Sequence, residues 1–246
     1  MDLKALDEFV NLPDPHYSYK FLNRKTVPIS AEAASFVHTI QMTSQKWLDE
    51  SEVDKPVWTH RLLILRDLSV GKMKKDCLLV ILPDQNDTIH DKENVMKSVF
   101  AIIATQTSSY NHPLGHKNIK GDDIVAYTFW EFLKNETAPA DVLVQFPMVK
   151  AVVRAMDTVT DYMKKKYKAD VTEFTLVGLG LGGWISWLTA AVDQRVKAIA
   201  PIAMDFLNFT EVRLNWQSSI SIKQVLSKVS YHRQLQAVPS HPSSSE

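Results

Sequence analysis

The sequence predicts an α/β fold whose sheet starts antiparallel and has a parallel centre. Three observations carry this expectation. Tyr17–Leu22, Ser35–Met42 and His60–Leu65 alternate or run apolar like strands, and lie close enough together to pair antiparallel. Cys77–Leu82 is an unbroken apolar run stopped by Pro83, as in a strand buried on both faces. Finally, Val171–Val177, Leu181–Val192 and Lys197–Met204 read strand, helix, strand, the order of a parallel crossover.

The intervening segments are helical by period. Val95, Val99 and Ile102 recur at helical spacing, with Asp91 placed as the cap. Asp123–Lys134 reads as a second helix whose Trp130 and Phe132 pack rather than bind. Ala140–Lys168 holds the strongest helix. Val149, Val152, Met156, Val159 and Met163 line one face, Pro147 suits the first turn, and Lys164, Lys165, Lys166 and Lys168 form a solvated basic end that complements the helix dipole. The apolar stretch Phe174–Val192 is uncharged, but its glycines break any spanning helix, so no membrane insertion is expected.

Composition excludes several classes. Of 246 residues, Lys+Arg and Asp+Glu number 28 each, so nothing points to nucleic acid or a basic membrane face. Hydrophobic residues at 45% exclude disorder over most of the length. The one cysteine, Cys77, excludes an internal disulfide framework and reads as a small core residue. His112 and His116, four apart, lack a neighbouring carboxylate or Cys to complete a metal site, and neither metal nor cofactor is expected. Met1–Glu8 has no signal-peptide pattern, while Asn86, Asn135 and Asn208 open glycosylation sequons. Residues 1–236 are expected to form one domain, and 237–246 a disordered tail.

The informative motif is Val177-Gly178-Leu179-Gly180-Leu181-Gly182-Gly183-Trp184, between a strand and a helix. It reads in three ways. Gly178, Gly180 and Gly183 fit the dinucleotide pattern G-x-G-x-x-G, although only about a quarter of the chain follows, too little for the other half of a doubly wound sheet. Gly178, Gly180 and Gly182 fit the nucleophile elbow G-x-S-x-G with glycine in the serine position. The third reading is a tight turn with no ligand.

The flanking blocks weight these readings. Leu12-Pro13-Asp14-Pro15-His16-Tyr17-Ser18-Tyr19, Met42-Thr43-Ser44-Gln45-Lys46-Trp47-Leu48 and Pro56-Val57-Trp58-Thr59-His60 occur in order. Ile124–Trp130, Phe146–Ala151, Val153–Thr158, Gly183-Trp184, Leu188–Asp193, Arg195-Val196 and Asp205–Asn208 follow. Over residues 7–210 the chain resembles the PhoPQ-activated pathogenicity-related protein family, which includes the autocrine proliferation repressors. The resemblance implies an α/β-hydrolase-like sheet with flanking helices, truncated here after the strand that follows the elbow. It also implies a secreted protein acting through an unknown protein receptor or partner.

The chain departs from that family where catalysis would sit. The family's elbow resembles G-A-S-K-R-G-W, so its serine falls on Gly180 and its Lys-Arg on Leu181-Gly182. Its glycine-rich oxyanion turn is replaced by Leu82-Pro83-Asp84-Gln85-Asn86, and Pro83 has no N–H to donate. Tyr110–Ile119 is polar where a buried strand is expected. A triad also needs an acid and a histidine, in that order after the nucleophile. Asp205 is the remaining acid candidate, and reads more simply as a turn residue. His232 is the base candidate, and reads more simply as a surface histidine. The expectation is a non-catalytic binding or signalling protein. The alternatives are a serine-hydrolase-like esterase or peptidase with a displaced nucleophile, and a dinucleotide-binding protein.

Overall fold

The computed structural model describes residues 3–28, 34–67, 74–83, 100–105, 122–135 and 138–204. Helix α1 (Leu3–Asn11) leads into three long strands, β1 (Ser18–Pro28), β2 (Ala34–Lys46) and β3 (Val57–Asp67). Then come β4 (Asp76–Pro83), β5 (Phe100–Thr105), α2 (Asp122–Lys134) and a 3₁₀ turn at Ala140–Val142. Helix α3 (Gln145–Tyr167), β6 (Glu173–Leu179), α4 (Leu181–Val192) and β7 (Val196–Ile202) complete the described chain.

The seven strands form one sheet in the order β1-β2-β3-β5-β4-β6-β7. β1 to β3 pair antiparallel, and β3 is antiparallel to β5. From β5 through β4 and β6 to β7 the pairing is parallel. The antiparallel start, the buried strand at Cys77 and the parallel crossover therefore stand as expected. Pro201 is tolerated because β7, among the described residues, pairs with β6 alone, so its missing N–H breaks no second ladder.

One expected helix is corrected. Ile102, read as the end of a helix, lies in β5, between β3 and β4. The run Phe-Ala-Ile-Ile-Ala-Thr is short and rich in β-branched residues. Period alone cannot tell such a run from a buried helix, and two flanking ladders decide it. Asp91, Val95, Val99 and the segment Tyr110–Ile119 lie outside the described residues.

The core sits between the sheet and α3. Gln145 to Val153 are buried without interruption, so the first half of this helix is enclosed all round. Cys77, Leu79 and Ile81 of β4 join that core, while Leu78, Val80 and Leu82 pack with Val27, Val37 and Leu65 in a smaller cluster. The pleat of a two-sided strand divides them. The apolar stretch Phe174–Val192 resolves into β6, a turn and α4, and no helix among the described residues is long and apolar enough to cross a membrane.

The basic end of α3 is solvated, as expected. Lys164, Lys165 and Lys166 are exposed, Lys165 pairs with Asp161 at 2.7 Å, and Lys168 takes the left-handed conformation (φ 56°) that closes helix ends.

A buried histidine ties β2 to α3. The Tyr162 hydroxyl lies 2.8 Å from His38 Nδ1 and the Tyr167 hydroxyl 2.7 Å from Nε2. A neutral imidazole has one donor and one acceptor nitrogen, so one hydroxyl donates and the other accepts. Burial, with Arg24, Lys166 and Arg66 nearby, lowers the His38 pKa to about 4. The unfolded chain, at an ordinary 6.5, therefore binds the extra proton first as pH falls. Stability carried by neutral His38 is full above pH 6.5 and is lost progressively down to about pH 4. Urea unfolding across that window is expected to show a falling midpoint, and His38→Gln to flatten the slope while lowering the midpoint at pH 7.

Candidate functional site

Gly180 is the corner between β6 and α4. Its backbone sits at φ 57°, ψ −118°, a conformation that favours glycine and lifts the residue above the strand ends. Both sides of the corner are fixed: the Gly180 N–H donates to the Ile202 carbonyl at 2.8 Å, and the Trp184 N–H donates to the Gly180 carbonyl at 3.2 Å.

The neighbouring glycines serve a different purpose. A Cβ on Gly178 would stand 2.2 Å from the Gly182 carbonyl carbon and oxygen. One on Gly182 would stand 3.0 Å from the Ile81 carbonyl oxygen, and one on Gly183 3.1 Å from that of Gly178. These three positions let α4 turn back onto β6 and β4. At Gly180 a Cβ would meet nothing within 4 Å, so there the glycine answers to φ alone.

The strand order decides which glycine motif this is. A dinucleotide turn follows the first strand of a doubly wound sheet. Here the turn follows β6, beyond the exchange of β4 and β5 in sheet order, with an antiparallel edge on the far side. That is the place of the nucleophile elbow in an α/β-hydrolase-like fold.

Of the expected site residues, the structure brings together Gly178, Gly180 and Gly182. Asp205, His232, His112, His116, Asn86 and Asn208 lie outside the described residues. Asn135 is exposed just after α2, as a glycosylation acceptor must be. Pro83 ends β4, in register with Thr105. Cys77 is buried at the opposite end of the sheet from the elbow, since β4 and β6 are parallel and Cys77 pairs with Phe174 near the start of β6.

Other nucleophile types near the elbow are committed elsewhere. The buried Ser186 hydroxyl donates to the Gly182 carbonyl (2.8 Å) and that of Thr189 to Ile185 (2.7 Å). A serine–histidine contact does occur, Ser44 Oγ to His60 Nε2 at 2.8 Å, but both residues are buried in β2 and β3, away from the elbow. Beside the elbow, the rings of Trp184 and Phe129 stack at 6.0 Å and join α4 to α2.

Most of the blocks that carry the family resemblance lie in the frame and not at the elbow. Asp14 accepts from the N–H groups of His16 (2.8 Å) and Lys46 (3.0 Å). Gln45 Nε2 donates to the Pro147 carbonyl (2.6 Å), Trp47 Nε1 to that of Asp141 (2.8 Å), and Trp47 meets Trp58 edge to face. Lys150, 4% exposed, donates to the carbonyls of Phe9 (3.3 Å) and Leu12 (2.8 Å), closing the end of α1 with a cation. Burial lowers its pKa.

Sequence reading missed the ion-pair network at the end of the sheet opposite the elbow, where α4 turns into β7. Asp157 meets Arg154 and Arg195, each at 2.9 Å, and Arg195 meets Asp193 at 2.6 Å. Burial pushes Asp193 up, but hydrogen bonds from Arg195 outweigh it and the net shift is down. The i,i+3 spacing of Arg154 and Asp157 on a helix was the available signal.

Fold and glycine corner together define an α/β-hydrolase-like protein with Gly180 at the turn after β6. The chain matches the PhoPQ-activated pathogenicity-related protein family over residues 6–220, and belongs to it. It is 32% identical over 216 residues to autocrine proliferation repressor protein A of Dictyostelium discoideum, covering 82% of this chain and 41% of that protein. The chain thus spans less than half the length of this relative. Among solved structures it is similar to a glucuronoyl esterase from Solibacter usitatus, with TM-score 0.45 and 14% identity, over 80% of this chain and 56% of that one. It is also similar to acetyl xylan esterase 1 from Thermoanaerobacterium sp. JW/SL YS485, with TM-score 0.45 and 11% identity, over 93% and 70%. Likenesses at this level do not bear on activity.

The glycine positions are expected to differ in cost. Gly178→Ala forces overlap with fixed backbone and should cost about 3 kcal/mol or more, whereas Gly180→Ala strains only its own φ, at about 1 kcal/mol. Thermal unfolding of the two variants checks the order.

Proposed function

We propose that this protein works by binding, as a non-catalytic signal of the proliferation-repressor type, and not by hydrolysis. One observation carries the reading: position 180 has the backbone of a nucleophile elbow and no atom with which to attack a carbonyl. Acyl transfer on this fold needs that atom, and removal of a nucleophile usually costs several orders of magnitude in rate. Pro83 at the end of β4 supports the same reading, because it withdraws an N–H from the side of the elbow where an oxyanion would be held. The name of the Dictyostelium relative supplies the signalling class. An exposed Asn135 suits a glycosylated, secreted form, with a protein receptor as partner.

The test uses the vacancy at Gly180. Purified protein is expected to resist labelling by a fluorophosphonate probe and to leave p-nitrophenyl acetate at the background rate. Gly180→Ser is expected to fold, since its Cβ meets nothing within 4 Å, and to remain inactive. Labelling of the wild-type protein would establish a displaced nucleophile. Turnover by Gly180→Ser alone would show an intact acid, base and oxyanion hole, and would overturn the proposal.

A further inference from the structure

Far from the elbow, the sheet carries a cluster of cations that have no carboxylate partner among the described residues. The ladder register builds it. Arg24 of β1 stands opposite His38 of β2, and Phe36 of β2 stands opposite Arg66 of β3. Directly paired residues, and residues two apart on one strand, share a face. Arg24, Phe36, His38 and Arg66 therefore lie together on the face covered by α3, at the helix end that contributes Tyr162, Lys166 and Tyr167.

The side chains are held in place by aromatic rings. The Arg24 guanidinium lies 4.4 Å from the centre of the Phe36 ring, and that of Arg66 lies 4.2 Å from the centre of Tyr167. Phe36 and Tyr167 each meet His38 edge to face, at 6.2 and 5.5 Å. Stacking fixes the guanidinium planes but satisfies none of their N–H donors. Among the described residues neither arginine, nor Lys166, has a carboxylate partner, although Lys164 and Lys165 beside them do. Arg66 Nε is buried and has no hydrogen-bond partner among the described residues. A buried guanidinium N–H without an acceptor costs free energy that a bound acceptor would recover. His38 does not help: both its nitrogens are taken by tyrosine hydroxyls.

We infer that Arg24, Arg66 and Lys166 form an anion site for a tetrahedral phosphate or sulfate group, free or as an ester on a small ligand. Two planar forks on the strands either side of Phe36, stacked on Phe36 and on Tyr167, with the flexible Lys166 on the adjoining end of α3, suit such a group better than a single carboxylate. The site is independent of the elbow and of the reading proposed for it.

The experiment is thermal unfolding at pH 7 with sodium phosphate, sodium sulfate or sodium chloride at matched ionic strength. Exclusion of sulfate and phosphate from protein surfaces raises the melting temperature without saturation. A site adds a saturable rise. The saturable rise is expected with phosphate and sulfate and not with chloride. Titration calorimetry with inorganic phosphate is expected to show affinity weakened about tenfold or more by Arg66→Gln, and again by Arg24→Gln. Lys164→Gln, at a paired neighbour, should leave it unchanged. Because each arginine is replaced in a cluster of like charge, the variants should melt in chloride no lower than about the wild type, which separates lost binding from lost folding. A wild-type response that never saturates, or one that persists in the Arg24→Gln/Arg66→Gln double variant, would overturn the inference. If the site binds, comparison of inorganic phosphate with a sugar phosphate and a sulfated monosaccharide tells a free anion from an ester.

Discussion

The enclosure of α3 is the constraint on which the rest of this structure depends. A helix buried from Gln145 to Val153 on every side has no solvent face on which to place polar groups; the Gln145 amide is buried with no partner among the described residues, and other polar groups draw on neighbouring elements. The partners come from far away in sequence. Lys150 closes the end of α1, the Pro147 carbonyl takes the Gln45 amide, and Thr158 meets the Tyr17 hydroxyl at 3.0 Å. These contacts fix α1, the segment leading into β1, and β2 against the helix. Further along, Asp157 reaches through Arg195 to the turn between α4 and β7. One helix thus sets the position of the antiparallel half and of the turn between α4 and β7.

This arrangement explains how the elbow keeps its shape without its side chain. The corner at φ 57°, ψ −118° is held from outside: by the Ile202 carbonyl that accepts the Gly180 N–H and by close packing of Gly178 against Gly182. None of these needs an atom beyond the backbone at position 180. A serine there would be held in a strained conformation by the frame; glycine adopts the same angles without a steric penalty. The geometry of the corner is therefore specified by backbone contacts alone, with no contribution from a side chain at position 180.

Most of the fold was legible in the sequence because its elements obey one period each. The stripe from Val149 to Met163, the uninterrupted run at Cys77 and the glycine corner left little competition. Phe100–Thr105 was misread because six residues do not establish a period, and because its identity as a strand comes from β3 and β4 on either side. The elbow was legible for the opposite reason, since three close backbone approaches demand glycine at fixed spacing. The ion-pair network was not, because Asp157 and Arg195 meet only after β6 and α4 have folded back. The cation cluster was likewise hidden: Arg24, Arg66 and Lys166 are scattered over three elements, and only the register of two ladders places them side by side.

The location of the family blocks bears on how the protein acts. In a hydrolase, residue types at fixed positions around the elbow are held there by chemistry. Here the motif residues of β1, β2, β3 and α3 are held by packing and by hydrogen bonds to backbone, and the corner after β6 carries glycine at position 180. A frame specified so closely, and not needed to aim a nucleophile, still fixes surfaces in space. Those surfaces include the exposed β1 strand, with Phe21 stacked on Tyr162, and the arginines on either side of Phe36. In the reading proposed here, the rigidity that an enzyme uses to position a reacting group serves to present a constant face to a partner.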